Sequence, residues 1–168
     1  FTNVDDFICS GIRADGVIIA TGDDTHYSIS RKVIEAGMNL LLEKPMADSI
    51  DQCRELIALA ERRGVITSMC YVMRYHPYYT RIKDIAASGE LGEIKAIRHR
   101  VNVGIDRMTH TFVRGLWARK EDSSPIFISK CCHDVDFIFW LIGQDTPDEK
   151  MDIRSKGSLT RYSPEAAP

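Results

Sequence analysis

Up to Met73, three short apolar runs alternate with two segments whose apolar residues recur at helical spacing, and this alternation is the strongest constraint on the fold. The runs Gly16–Thr21, Asn39–Glu43 and Val65–Val72 are typical of buried strands. Gly37 and Gly64 supply the left-handed residue that ends each intervening helix. Strands joined by short crossover helices predict part of a doubly wound parallel α/β sheet.

The helix starts are also marked in the sequence. Thr25 is predicted to cap the first of these helices with its side chain. Ser49, followed three residues later by Gln52, forms a capping box for the second.

Beyond Arg74 the pattern changes. We expect a helix over Pro77–Ser88, and then an antiparallel strand of a different sheet over Glu93–Val103, where apolar and polar residues partly alternate. Ser124 followed by proline predicts the start of a long helix, Pro125–Ile142. A last strand is predicted near Met151–Ser155.

Composition excludes several classes of protein. The net charge of −2 gives no basic field to attract a nucleic-acid backbone or an anionic membrane. The longest run without charged residues, Gly64–Met73, is about half of the ~20 residues that a membrane span needs. The five cysteines include no CxxC pair, which predicts free thiols and a cytoplasmic setting.

Polar side chains follow each of the three predicted strands, in the segments Thr21–His26, Glu43–Pro45 and Tyr71–Pro77. The carboxyl ends of parallel strands meet at one edge of a sheet, where open α/β folds bind ligands. Because a residue before proline avoids helical conformations, Lys44 is expected to project at the mouth of this crevice.

The segments AGMNLLLEKPMA, RYHP, GELGEIKAIRH and KCCHDVD resemble the glucose–fructose oxidoreductase/inositol dehydrogenase (Gfo/Idh/MocA) family along nearly the whole chain. VRGLW, SSP and KCCHDVD are closest to one subgroup. The resemblance implies the C-terminal half of a Rossmann-like sheet in residues 1–73. It implies the first part of an α+β substrate and oligomerisation domain in residues 74–168. Since no GxG turn occurs, we expect a chain truncated at both ends relative to the family.

The resemblance implies an oxidoreductase that uses NAD or NADP to transfer a hydride at a secondary alcohol of a sugar or cyclitol. In the family a histidine stands beside the substrate hydroxyl, so His133 is the predicted base and Lys44 the group that stabilises the oxygen. Ser129 replaces the aspartate of many relatives, which makes Lys130 a second candidate acid or base. The predicted cofactor-binding residues are Thr21, His26, Glu43, Lys44, Pro45 and Arg74.

The loop before the long helix supplies three candidate substrate-binding residues. His110, Arg114 and Trp117 suit a polyol, although Trp117 fits core packing equally well. No metal site is expected, because the consecutive side chains Cys131–Asp134 point around the helix. The resemblance leaves open homo-oligomerisation through the second domain's sheet. It also leaves two alternative functions, an NAD-assisted glycosidase and a non-catalytic ligand-binding or scaffold protein.

Overall fold

A computed structural model describes residues 1–115, 118, 124, 126–143, 152, 154 and 156 of the 168-residue chain. The six α-helices and three strands of these residues, in chain order, are α1 (Val4–Cys9), β1 (Gly16–Ile19), α2 (Asp23–Glu35), β2 (Asn39–Leu42), α3 (Ile50–Arg63), β3 (Thr67–Met69), α4 (Pro77–Ala87), α5 (Ile105–Met108) and α6 (Ile126–Ile142). A 3-10 turn, Val72–Tyr75, follows β3, and a turn of π-helix, Thr109–Val113, follows α5. None of the described helices is both long and apolar enough to cross a membrane.

The three strands form one parallel sheet in the order β1-β2-β3, which confirms the predicted α/β alternation. Ile19 is in register with Leu42, and Leu42 with Met69. The strands are shorter than predicted, because the chain after Cys70 turns into the 3-10 segment instead of continuing to Val72.

The main core lies between one face of this sheet and helices α2 and α3. Its buried residues are Ile19, Val33, Ile34, Met38, Leu40, Leu42, Leu56, Leu59 and Ala60. Side chains alternate along a strand, so Ile18 and Leu41 point to the opposite face, where they are 72% and 37% exposed. Among the described residues, the sheet is therefore covered by helices on one face.

The predicted helix ends are confirmed at Gly37 and Gly64, which have φ values of 75° and 65°. Ser49 accepts a hydrogen bond from the Gln52 backbone N–H at 3.3 Å, which is one half of the predicted capping box, while the Gln52 side chain accepts from the Asp48 backbone N–H at 3.2 Å. The predicted cap at Thr25 is wrong. α2 begins two residues earlier, after Gly22, and the Thr25 hydroxyl donates back to the Gly22 carbonyl at 2.8 Å.

The second half contains the predicted helices α4 and α6, but Glu93–Val103 does not form a strand. A strand needs a neighbour for its backbone hydrogen bonds, and no described segment pairs with this one. Its apolar side chains Ile94 and Val101 remain 38% and 48% exposed. The strand predicted near Met151–Ser155 falls largely outside the described residues. The short helix α1 was missed.

Candidate functional site

The candidate site begins where β2 ends. The last strand bond of this edge runs from the Glu43 backbone N–H to the Ile19 carbonyl at 2.9 Å. The next peptide, Lys44–Pro45, is cis, and Pro45 is buried while Lys44 is half-buried. The Lys44 backbone N–H donates to the Glu43 carboxylate at 3.1 Å. This local geometry directs the chain away from the sheet and places the Lys44 side chain at the carboxyl edge.

The buried His26 side chain connects two loops at this edge. Its Nδ1 lies 2.6 Å from the Pro45 carbonyl oxygen, and its Nε2 lies 3.2 Å from that of Thr21. The ring is 1% exposed. The imidazole thus joins the loops that follow β1 and β2. Sequence spacing could not show this, because the Pro45 contact lies 19 residues away.

The Lys44 side chain reaches α6. Its Nζ donates to the backbone carbonyl of Ser129 at 3.2 Å, across 85 residues of sequence. Ser129 lies one helical turn before His133, so the two stand on the same face of α6. The structure thus brings together the two residues predicted to carry the chemistry, Lys44 and His133.

His133 is half-buried, and its Nδ1 has no hydrogen-bond partner among the described residues. Its ring packs edge-on against Tyr71, with the ring centroids 5.9 Å apart. Burial lowers the pKa of His133 below its ordinary 6.5, and the positive charges of Lys44 and Lys130 lower it further. The neutral imidazole is therefore the stable form at neutral pH. Burial raises the pKa of Tyr71 to about 12, so this phenol stays protonated.

Arg74 forms a bidentate ion pair with Asp136 of α6. Its Nε and Nη2 donate to the two carboxylate oxygens at 2.9 and 2.6 Å. The Asp136 side chain is only 8% exposed. Arg74 is one of the predicted cofactor-binding residues, and the structure gives it a partner 62 residues away in the sequence.

A cavity of about 440 Å³ opens beside this ion pair. It is lined by residues of the β3–α4 connection and of α6, namely Tyr71, Arg74, Phe127, Ile128, Cys132, Val135, Asp136 and Phe139. The cavity shares Tyr71 with the surroundings of His133, so the candidate site and the cavity are neighbours.

The remaining predicted site residues form fewer hydrogen bonds within the described structure. Thr21 is exposed, and its hydroxyl accepts a hydrogen bond from Thr25 at 2.7 Å. Lys130 is half-buried, whereas His110 and Arg114 are exposed, and no side-chain hydrogen bond from either is found in the described part of the chain. Trp117 lies outside the described residues.

The structure also reveals polar residues that the sequence did not single out for the site. Ser124 is 4% exposed, and its hydroxyl donates to the Asp48 carboxylate at 2.6 Å. Asp23, at the start of α2, is 9% exposed. Burial raises the pKa of Asp23, while the neighbouring charges of Lys44 and His26 partly offset the rise. The sequence alone could not show that the Asp23 carboxyl and the Ser124 hydroxyl are both buried, because their burial depends on how the elements of the fold pack.

Across the described residues, no three His, Cys, Asp or Glu side chains converge in a way that could hold a metal ion. All five cysteines are free thiols. Cys131 and Cys132 point in different directions from consecutive positions of α6, and Cys132 lies 3.9 Å from the Ser129 carbonyl.

Residues 1–71 match the model of an oxidoreductase family described as an NAD-binding Rossmann fold, GFO_IDH_MocA. The matched part contains the sheet, the cis Lys44–Pro45 peptide and the buried His26. Over residues 1–71 the chain is therefore similar to the Gfo/Idh/MocA oxidoreductase family. The parallel sheet of residues 1–71 is thus part of this family's Rossmann domain.

Known proteins match this chain well beyond residue 71. The Bacillus subtilis protein YteT is 29% identical over 156 residues, which is 92% of this chain and 35% of YteT. The myo-inositol 2-dehydrogenase of Lactobacillus plantarum superposes with a TM-score of 0.74 at 27% identity, covering 86% of this chain and 42% of that one.

A third relative was crystallised with ligands. It is an inositol dehydrogenase homologue of Azotobacter vinelandii in complex with NADH and myo-inositol. It superposes with a TM-score of 0.52 at 26% identity, over 56% of this chain and 26% of that chain. The chain therefore spans between a quarter and about two fifths of the length of these relatives.

Proposed function

We propose that this chain carries the proton-transfer site of a nicotinamide-dependent oxidoreductase that acts on a secondary alcohol of a sugar, cyclitol or related polyol. The observation that carries the proposal is the Lys44–Ser129 hydrogen bond, which holds a cationic side chain over the helix that bears a neutral His133. The relative bound to NADH and myo-inositol supports both the cofactor type and the substrate class.

The residues present fit a bound alcohol. His133 Nδ1 is a buried polar atom without a partner in the described structure, and leaving such an atom unpaired is costly unless a ligand or water supplies the bond. The Lys44 ammonium has three donor hydrogens, of which the Ser129 carbonyl takes one. A hydroxyl group placed between them would satisfy both.

The residues at the carboxyl edge also suit the nicotinamide half of the cofactor. Thr21, Glu43 and Pro45 end the adjacent strands β1 and β2, as expected for a dinucleotide crevice. These residues would hold the nicotinamide ring, which would supply the acceptor for the hydride of the alcohol carbon. NAD is favoured over NADP by the family description and by the NADH-bound relative.

The protein's own contribution is acid–base and electrostatic. His133 is neutral at pH 7 because burial and two nearby cations lower its pKa, so it can accept the hydroxyl proton. Lys44 stabilises the negative charge that develops on the oxygen as the proton leaves. The C–H bond breaks as the hydride departs, and the alcohol becomes a carbonyl. Lys130 is the second candidate for the proton-transfer role, since its charge acts on His133 from the same helix.

We propose the domain division that the sequence suggests, with residues 1–73 as part of the dinucleotide-binding domain and residues 74–168 as the beginning of an α+β substrate domain. The chain leaves the sheet after Cys70, and Phe137 of α6 packs against Tyr79 of α4 with ring centroids 4.9 Å apart, which supports the division. Homo-oligomerisation through that second domain and a cytoplasmic location belong to the same proposal.

The test uses the full-length protein and compares Lys44→Ala with Lys95→Ala, whose side chain is 74% exposed. Reduction of NAD and of NADP is followed by absorbance with myo-inositol and a panel of sugars and polyols. We expect Lys44→Ala to lower kcat by at least about 100-fold with little change in dinucleotide affinity, whereas Lys95→Ala behaves as the wild type.

Wild-type turnover that persists in Lys44→Ala would remove Lys44 from the mechanism. Release of sugar from glycosides without accumulation of reduced cofactor would instead favour the glycosidase alternative.

A further inference from the structure

Two hydrogen bonds join the loop after β2 to α6 and to Ser124, which precedes α6 in the sequence. Lys44 donates to the Ser129 carbonyl at 3.2 Å, and the Ser124 hydroxyl donates to Asp48 at 2.6 Å. Both serines are more than nine-tenths buried, at 4% and 6% exposure. The first contact brings a reactive group to the helix, whereas the second involves no residue of the proposed chemistry.

The Ser124 hydroxyl also interacts with a third element. It lowers the pKa of the Asp23 carboxyl at the start of α2, against the rise that burial causes. Ser124 therefore stands where α2, the β2–α3 loop and the segment leading into α6 meet. Its single hydroxyl proton is donated to the Asp48 carboxylate, so the arrangement depends closely on that contact.

We propose that Ser124 is a positioning residue, whose hydroxyl holds the start of α6 against Asp48 and thereby sets the separation of His133 and Lys44. The inference rests on the proposed function for its catalytic consequence, but the arrangement itself is a property of the chain. A helix moves as a stiff unit, so a contact at its start determines where residues two turns later lie. Displacements of about 1 Å in such a site can cost roughly 100-fold in rate.

The decisive variant is Ser124→Ala, because it removes the hydroxyl and adds nothing. Ser124→Thr restores a hydroxyl at the same position and serves as the rescue. Ser28→Ala is the matched control, since Ser28 is an exposed serine of α2 whose hydroxyl donates only locally, to the Thr25 carbonyl at 3.0 Å.

The first measurement needs neither substrate nor cofactor. The titration of His133 is followed by NMR in the full-length protein with 13C-labelled histidine, and the signal is assigned with His133→Asn. In the wild type Lys44 helps to keep the titration midpoint below 6.5. We expect Ser124→Ala to move the midpoint up towards 6.5, because α6 is no longer held beside Lys44. Ser124→Thr and Ser28→Ala should keep the wild-type midpoint.

The second measurement is turnover. Ser124→Ala is expected to lower kcat by about 10- to 100-fold with unchanged dinucleotide affinity, and Ser124→Thr to recover most of it. If Ser124→Ala does not fold, Asp48→Ala replaces it, since Asp48 is an exposed residue and its loss removes the same hydrogen bond.

A folded Ser124→Ala or Asp48→Ala variant with an unchanged His133 midpoint would overturn the proposal. Absence of turnover in the wild type would overturn the proposed function instead, and the NMR comparison would still decide the role of Ser124.

Discussion

The two halves of the molecule are held together in different ways. In residues 1–71 the sheet and its two crossover helices share a contiguous apolar core. In α4, α6 and the segment between them, Phe137 is the sole apolar residue among those described that is fully buried. Two polar pairs, Lys44–Ser129 and Ser124–Asp48, join that half to residues 1–71, and Arg74–Asp136 joins the beginning of the second half to α6. The comparison teaches that the fold rests on the first half, while the site depends on a few directional contacts between the halves.

The largest expected effect tests the apolar core. Leu42→Ala removes a side chain with 0% exposure between β2 and its covering helices, and should lower the free energy of unfolding by about 3–4 kcal/mol. Leu41→Ala, at the neighbouring position on the opposite face, should cost less than about 1 kcal/mol. Urea denaturation measures both. Equal costs would mean that the opposite face is packed as tightly as the first, which would break the comparison.

The next effect tests the strongest polar pair. Arg74→Ala leaves the Asp136 carboxylate, which is 8% exposed, without its bidentate partner. Breaking a fully buried pair costs about 3–5 kcal/mol, and because the Arg74 side chain is 35% exposed we expect about 2 kcal/mol here. Arg54→Ala is the control, since Arg54 pairs with Asp51 at an exposed surface. Denaturation curves that coincide for the two variants would show that the Arg74 pair contributes nothing special.

A smaller effect concerns the segment that was predicted to be a strand. His99 Nε2 lies 2.7 Å from an Asp134 carboxylate oxygen, and the ring packs on Phe137 with centroids 5.6 Å apart. Replacing His99 by Ala should cost about 1 kcal/mol and speed amide hydrogen exchange in residues 94–103, with little change in β1–β3. Faster exchange in the sheet would show that the two halves are more tightly coupled than the contacts suggest.

The smallest expected effect is a change in the pKa of His133. Replacing Lys44 by Gln should raise the pKa of His133, and Lys130→Gln should raise it less, because the charge of Lys44 has the larger influence. NMR titration of His133 in each variant measures which substitution raises its pKa more. A larger shift in Lys130→Gln would favour Lys130 as the closer partner of His133.

The lowered pKa of His133 also determines how the free energy of unfolding changes with pH. As the pH falls below 6.5, the unfolded chain binds this proton before the folded chain does. Stability is therefore lost from pH 6.5 down to the folded midpoint and then levels off.

Much of the first half could be predicted from local sequence. Apolar runs of strand length and the glycine stops at Gly37 and Gly64 are determined within a few residues, so the three strands and the two crossover helices were found, whereas α1 was not. Glu93–Val103 shows the limit of that approach. Its alternation is compatible with a strand, but the hydrogen bonds of a strand come from another segment, which no local pattern supplies.

The site was predicted in part for the same physical reason. Lys44 was predicted from its place at a strand end and His133 from the resemblance to a family, and the structure places both beside Ser129 of α6. The contacts that organise them, such as Arg74–Asp136 and Ser124–Asp48, join residues 62 and 76 positions apart. Such pairs leave no periodicity in the sequence, because a single polar side chain can form its hydrogen bond wherever packing delivers a partner.

The free thiols have a practical consequence for spectroscopy. Burial raises the pKa of four cysteines, at positions 53, 70, 131 and 132, which leaves little reactive thiolate at neutral pH. Cys9, at the end of α1, is the exposed thiol of the five. A maleimide fluorophore or spin label added in limiting amount should therefore attach first to α1. It would report on the Rossmann half while leaving the thiols next to His133 unmodified.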